Sequence, residues 1–342
     1  MLRRIASLVA LQIAAVLLGH SAAAGASCPK ILMFDGLDIR TENNEEMAHY
    51  WGETIGVQGF FINYVFYSWE DSIADDEKGQ RYQSVKKFQE IYSRQGVTDN
   101  FIKVTPYRQR DWKNPSAETV VVQNFRRAAH LARYAGLKGI ALDLEPHVKG
   151  FWTEDPAIPD MAERVYRLGR EVGQAIKSEY PEATVFVLPE ILFFTCPPYT
   201  PQICQAYQLS KRFWDGLIEA HFKELVLGTE NSYDNARPDV IVAKTRPFFE
   251  TSLTAKGLTV ASVPIAPGLW PLGKSYADKR ARCTPAEFDA RLRLAMKENS
   301  PYVWIYGFGN TWKKEGGPTE PRFDEYVRVL HKVKEDCEQG WK

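Results

Sequence analysis

Two carboxylic acids one residue apart, Asp143 and Glu145, with Glu190, Glu230 and Tyr233 further along, are the residues of this chain whose types and spacing could do chemistry. Carboxyl groups brought together in a confined site do not ionise alike. One keeps its proton near neutral pH and can donate it, while another stays charged and can attack or stabilise a cationic centre. Asp143 and Glu145 lie in the stretch Gly139 to His147, which reads Gly-Ile-Ala-Leu-Asp-Leu-Glu-Pro-His. Ile140, Leu142 and Leu144 alternate with Ala141, Asp143 and Glu145, so a strand here has one branched apolar face and one face that is small and then acidic. Two residues along a strand is a rise of about 6.6 Å, close enough for like charges to drive one proton affinity upward. An isolated Asp-x-Glu also marks strand ends that merely run into a solvated loop. The surrounding elements decide between the two.

Apolar runs bounded by turn residues alternate with helical stretches along the chain. Strands are predicted at Ile31 to Asp35, Gly59 to Val65, Phe101 to Thr105, from Gly139, at Thr184 to Leu188, Glu224 to Thr229, Leu258 to Pro264 and Tyr302 to Tyr306. Helices are predicted around Glu45 to Ile55, Ser84 to Gln95, Ser116 to Tyr134, Asp160 to Glu179, Lys211 to Phe222, Asp239 to Leu253 with a kink at Pro247, Pro285 to Asn299 and Pro321 to Cys337. A helix after every strand is the order of an α/β chain folded as a single (β/α)8 TIM barrel. A doubly wound nucleotide-binding sheet would carry a Gly-rich phosphate loop after its first strand, where Asp35-Gly36-Leu37-Asp38 stands instead. In the barrel, Asp143 and Glu145 point inward at the carboxyl end of their strand, on the face where barrel active sites lie.

The other strand ends add to that face. Asp35, Asn63, Tyr107, Trp270, Trp304 and Asn231 are candidate substrate contacts, and Trp69, Trp112, Trp152 and Trp312 also fall in these loops. Aromatic faces stack on sugar rings, although indoles in long loops also serve as packing. Acids with aromatics on a barrel rim imply glycoside hydrolysis of a poly- or oligosaccharide: one carboxylic acid protonates the leaving oxygen and a second group traps or stabilises the oxocarbenium-like centre. Glu145 is the expected acid, and Asp143, Glu230 and Glu190 compete for the second role. A barrel that only binds polysaccharide is the non-catalytic alternative.

In 342 residues, Lys plus Arg and Asp plus Glu balance at 43 each, so no net field draws the chain to nucleic acid or an anionic membrane. Arg3 and Arg4, the apolar run Ile5 to Leu18 and the small residues Ser21 to Ser27 read as a secretory signal peptide over residues 1–26. The remainder, 27–342, is expected to be one catalytic domain, secreted or periplasmic, monomeric and without stable membrane insertion. Export permits disulfides: Cys196 with Cys204 across a proline-rich loop, and Cys28 with Cys337 at the amino-terminal face, leaving Cys283 unpaired. Lipidation of Cys28 is the minority alternative. No His-x-His, His-Glu-x-x-His or Gly-x-Ser-x-Gly occurs, so neither a metal nor a serine nucleophile nor a cofactor is expected; a divalent site using His147 is the weaker rival.

The run Lys138-Gly139-Ile140-Ala141-Leu142-Asp143-Leu144-Glu145 resembles the fourth-strand Asp-Gly-x-Asp-x-Asp-x-Glu signature of the family 18 chitinase-like glycoside hydrolases, and Tyr233-Asp234 resembles their Tyr-Asp pair. Trp304 is similar to their barrel-floor tryptophan. The resemblance implies a proton-donating Glu145, with Asp143 and Tyr233 positioning a substrate acetamido group as nucleophile. Lys138 and Ala141 depart from the signature, as does Thr105-Pro106-Tyr107 from the Ser-x-Gly-Gly of the third strand. The Asp-x-Glu also resembles that of secreted lysozyme-type barrels.

Overall fold

The computed structural model describes residues 28–34, 37–67, 76–105, 114, 116–145, 152–189, 207–258, 263–273, 281–307, 311–313 and 320–341. The segment 1–26, Asp35, Trp69, Tyr107, Trp112, His147, Glu190 and the expected Cys196–Cys204 pair lie outside the described residues.

The strands are β1 (Lys30–Phe34), β2 (Gly59–Tyr67), β3 (Phe101–Thr105), β4 (Gly139–Asp143), β5 (Thr184–Leu188), β6 (Glu224–Thr229), β7 (Ile265–Leu269) and β8 (Tyr302–Tyr306). They pair in sequence order, all parallel, and β8 closes on β1. The helices are α1 (Glu45–His49, continued as a π-helix over Tyr50–Ile55), α2 (Gln80–Ser93), α3 (Ser116–Ala135), α4 (Met161–Glu179), α5 (Ser210–Leu217), α6 (Pro238–Thr254), α7 (Pro285–Ala295) and α8 (Phe323–Glu338). The chain is therefore a (β/α)8 barrel.

The period-2 alternation of each strand sorts its side chains into two apolar layers. Ile140, Leu142 and Leu144 of the fourth unit, like Ile31, Met33, Val185 and Val187, pack outward under the helices. Leu32, Phe61, Phe101, Ala141, Phe186, Val226, Tyr302 and Trp304 fill the interior. Their rings meet at close range, Phe61 and Phe186 at 4.8 Å and Phe101 and Tyr302 at 5.7 Å between centroids. Each such fully buried side chain contributes roughly 1.5–3 kcal/mol.

Strand seven departs from expectation. The sequence predicts it over Leu258 to Pro264, but β7 is Ile265–Leu269, and Leu258 closes α6 by donating its N–H to the Leu253 carbonyl (2.9 Å). Pro267-Gly268 looks like a turn in the sequence. In the barrel, Pro267 pairs with Thr229, and Gly268 is small because the Trp304 indole lies across it: a Cβ there would meet that ring at 2.6 Å. α5 and α7 also end earlier than predicted, at Leu217 and Ala295.

The amino end is sealed by polar pairs. Tyr302 donates to Asp99 Oδ1 (2.9 Å), Thr98 donates to Asp99 Oδ2 (2.7 Å), and Lys30 pairs with the same carboxylate. Thr184 donates to Glu224 Oε2 (2.6 Å), which also meets Lys138 at 3.0 Å. A Cys28–Cys337 disulfide, with Cα atoms 5.9 Å apart, ties the start of β1 to α8 as expected. Cys283 is a buried free thiol, pushed up to about 11 chiefly by that burial.

Candidate active site

β4 ends at Asp143, but the next two residues are pinned as firmly as a strand. Leu144 donates its N–H to the Leu188 carbonyl (2.7 Å), its own carbonyl accepts from Trp152 Nε1 (2.8 Å), and Glu145 N–H donates to Asp143 Oδ1 (3.1 Å). Glu145 is half-buried and Asp143 only 3% exposed. The second oxygen of Asp143 accepts from Lys103 Nζ at 2.9 Å. Lys103 comes from β3, where its register partner is Ala141, and its ammonium also lies 4.8 Å from the centroid of the Phe34 ring. Asp143 thus faces Glu145 as half of an ion pair. The like-charge repulsion expected between the two acids is offset by the lysine.

On the far side, Val226 points inward, Gly228 follows on the same face of β6, and Glu230 stands one residue past the end of that strand. Glu230 and Asn231 are half-buried at the start of a turn in which Tyr233 N–H donates to the Glu230 carbonyl (3.0 Å). The buried Ser232 fastens this turn to β7. Its hydroxyl accepts from Gly268 N–H (3.0 Å) and donates to the Gly268 carbonyl (2.7 Å), with the Thr229 carbonyl 3.0 Å away.

Tyr233 enters an aromatic cluster. It stacks on Tyr306 (5.5 Å, 16° between planes) and meets Trp304 and Trp270 edge-on at 5.2 and 5.7 Å. Arg282 lies 3.7 Å over the Trp270 ring and is held there by Asp234, whose Oδ1 accepts from Nε at 2.8 Å. Asp234, of the Tyr-Asp pair, therefore anchors an arginine behind the aromatic wall.

The tryptophans named from the sequence differ in exposure. Trp304 is fully buried; it donates Nε1–H to the Ala266 carbonyl (3.1 Å) and forms a floor beneath Tyr233. Trp152 and Trp312 are likewise buried, drawn by their apolar area into the packing beneath the loops. Trp270 is partly exposed at the rim, and Asn63 is buried on β2, two residues beyond the inward-facing Phe61.

Tyr207, at the turn into α5, was not singled out from the sequence. Burial raises its hydroxyl above the ordinary tyrosine range, and the carboxylates of Glu145, Glu230 and Asp143, in that order, raise it further. Tyr207 thus lies within electrostatic reach of all three acids. Neither Lys103 nor Tyr207 carries a motif, although Lys103 shares the inward parity of Phe101. Among the described residues, no group of three or more His, Cys, Asp and Glu side chains could hold a metal ion, and no helix is long and apolar enough to cross a membrane.

The barrel is shared with glycoside hydrolases of known structure. It is similar to a chitinase from Bacteroides thetaiotaomicron, with a TM-score of 0.53 and 10% identity over 92% of this chain and 98% of that one. An endo-β-1,4-mannanase from Thermotoga petrophila matches with a TM-score of 0.53 and 9% identity, over 94% and 78%. A glucosidase from Croceicoccus marinus matches at 0.54 and 10%, over 84% and 62%. At these identities the likeness is one of fold. No protein-family model matches the sequence, and no curated protein matches it.

Proposed function

We propose that this chain is an exported glycoside hydrolase acting on a poly- or oligosaccharide, with Glu145 as general acid and Glu230 as the second carboxylate. The observation that carries the proposal is that Asp143 and Glu145, at the end of β4, and Glu230, just past the end of β6, stand at the carboxyl ends of parallel strands of one closed barrel. The sugar ring rests beside Tyr233 and Trp270, and Glu145 protonates the leaving oxygen. Glu230, reaching in from β6, meets the anomeric carbon directly as nucleophile or activates a water there as base. A second reading gives Glu230's place to Asp143 with Tyr233, acting on a substrate acetamido group. The stacking of Tyr233 on Tyr306, with Trp304 edge-on against it, favours it, because that ring is held in one orientation.

The test is to screen the mature protein against a panel of polysaccharides with product analysis, then treat it with a slow 2-fluoro glycoside of the sugar that is cleaved. Labelling of Glu230 supports the nucleophile role; inverted product without an adduct supports the base. Turnover restricted to N-acetylated sugars, without an adduct, supports the acetamido route. Binding without turnover on every glycan tried would make the chain a polysaccharide-binding barrel and overturn the proposal.

A further inference from the structure

Lys103 occupies a position that strand parity makes interior: Phe101, two residues before it, belongs to the inner apolar layer, and the lysine side chain is only 12% exposed. A cation there must be compensated to be tolerated. The compensation runs in one direction along the site. Ala141, beside Lys103 in register, leaves room for the lysine to reach two residues further up β4, where its ammonium meets Asp143 Oδ2 at 2.9 Å, and Asp143 Oδ1 accepts the Glu145 N–H at 3.1 Å. Leu188 and Trp152 hold the intervening Leu144 peptide from its two ends.

We infer that Lys103 is a positioning residue of this site: its ammonium fixes the Asp143 carboxylate, and through Asp143 it fixes the backbone of Glu145 and the direction of that acid's side chain. The inference rests on the reading of Glu145 as the proton donor. It also assigns Asp143 to the scaffold, leaving Glu145 and Glu230 as the pair that faces substrate. Among the described residues, the charged and titratable groups that meet here are Lys103 from β3, Asp143 and Glu145 from β4 and its extension, Glu230 beyond β6, and the Tyr207 phenol ahead of α5.

The experiment is a carboxyl 13C NMR titration of protein labelled at Asp and Glu, with the Glu145 resonance assigned by its loss in Glu145→Gln. Lys103→Met removes the cation paired with Asp143 beside Glu145 and should raise the Glu145 midpoint by about one pH unit. Asp143→Asn leaves the lysine uncompensated and should lower it. The double variant should return it to the wild-type range, and Lys103→Arg should leave it in place. On the cleaved glycan, Lys103→Met should lose roughly 10- to 100-fold in kcat with KM changed by less than about 3-fold, and Lys103→Arg should recover most of the loss. A purely structural lysine would give lower thermal stability without opposite midpoint shifts in the two single variants.

Midpoints that stay fixed, or move the same way in both single variants, overturn the inference. Should Lys103→Met fail to fold, Asp143→Asn and the charge-free double variant still give the required comparison: no downward shift in the first, or no return in the second, overturns it equally. The titration does not depend on turnover. Full activity in Glu145→Gln would remove the proton-donor reading while leaving the measured clamp intact, so the two failures are separable.

Discussion

At the amino end of the barrel, Asp99 is held by Tyr302, Thr98 and Lys30, and Glu224 by Thr184 and Lys138. At the carboxyl end, Asp143 is held by Lys103 in a similar way, whereas Glu145 and Glu230 stand half-buried at the rim beside Tyr207 and an aromatic wall. Both ends draw on Asp, Glu, Lys and Tyr. Residue type does not separate them; position along the strand does, because the parallel strands all deliver their last side chains to one face and close the other with rings and ion pairs. Asp143 is instructive because it lies at the reactive end and yet is tied as the sealing acids are.

Several substitutions would sharpen or break this contrast. The largest effect on stability belongs to the floor: Phe186→Ala should cost roughly 3–5 kcal/mol in urea unfolding, since the fully buried ring contacts Phe61, Phe101 and Tyr302. A loss below about 1 kcal/mol would mean that the interior is not the packed layer described. Removing the staple with Cys28→Ser and Cys337→Ser should cost roughly 2–4 kcal/mol, measured in the same way, without altering KM for a cleaved glycan.

Tyr302→Phe should cost about 1–2 kcal/mol through the lost bond to Asp99. Burial first, and the Asp99 charge second, hold the Tyr302 phenol above its ordinary pKa in the folded chain. The stability this contributes is complete below about pH 10, where the unfolded phenol is still protonated, and is lost as pH rises above that value and only the unfolded state ionises. Stability against pH should therefore fall less steeply on the alkaline side in Tyr302→Phe than in the parent; identical slopes would contradict the assignment. The smallest effect on stability is at the rim, where Arg282→Ala removes the partner stacked on Trp270. It should change stability by less than about 1 kcal/mol while raising KM a few-fold, and an unchanged KM would separate Trp270 from substrate binding.

Much of this organisation is legible in the sequence. Strict alternation in Gly139 to Glu145 placed Ile140, Leu142 and Leu144 outward and Ala141 and Asp143 inward, as observed. The helix after each strand gave the barrel, and the two terminal cysteines gave their bridge. Strand seven misled because local propensity favoured the β-branched run before Pro264, whereas the fold needs the small Ala266 and Gly268 under an indole from β8. The burial of Trp304 beneath Tyr233 and Phe34 is not legible either, because only the closed barrel creates those contacts. Nothing in the sequence marks Lys103, since a lone lysine in a strand reads as solvated; its partner lies 40 residues away and becomes adjacent only through β3–β4 pairing.

The contrast between the two ends is tested most directly by neutralising one acid at each and measuring turnover and stability together. Glu145→Gln should keep glycan binding and its unfolding midpoint while losing roughly 10²- to 10⁴-fold in kcat on a glycoside with a poor leaving group. Glu224→Gln should keep kcat and lose about 1–3 kcal/mol of stability, because Thr184 and Lys138 lose their charged partner. Full turnover in Glu145→Gln on that substrate would contradict the account, since every version of the proposed reaction needs the proton Glu145 supplies.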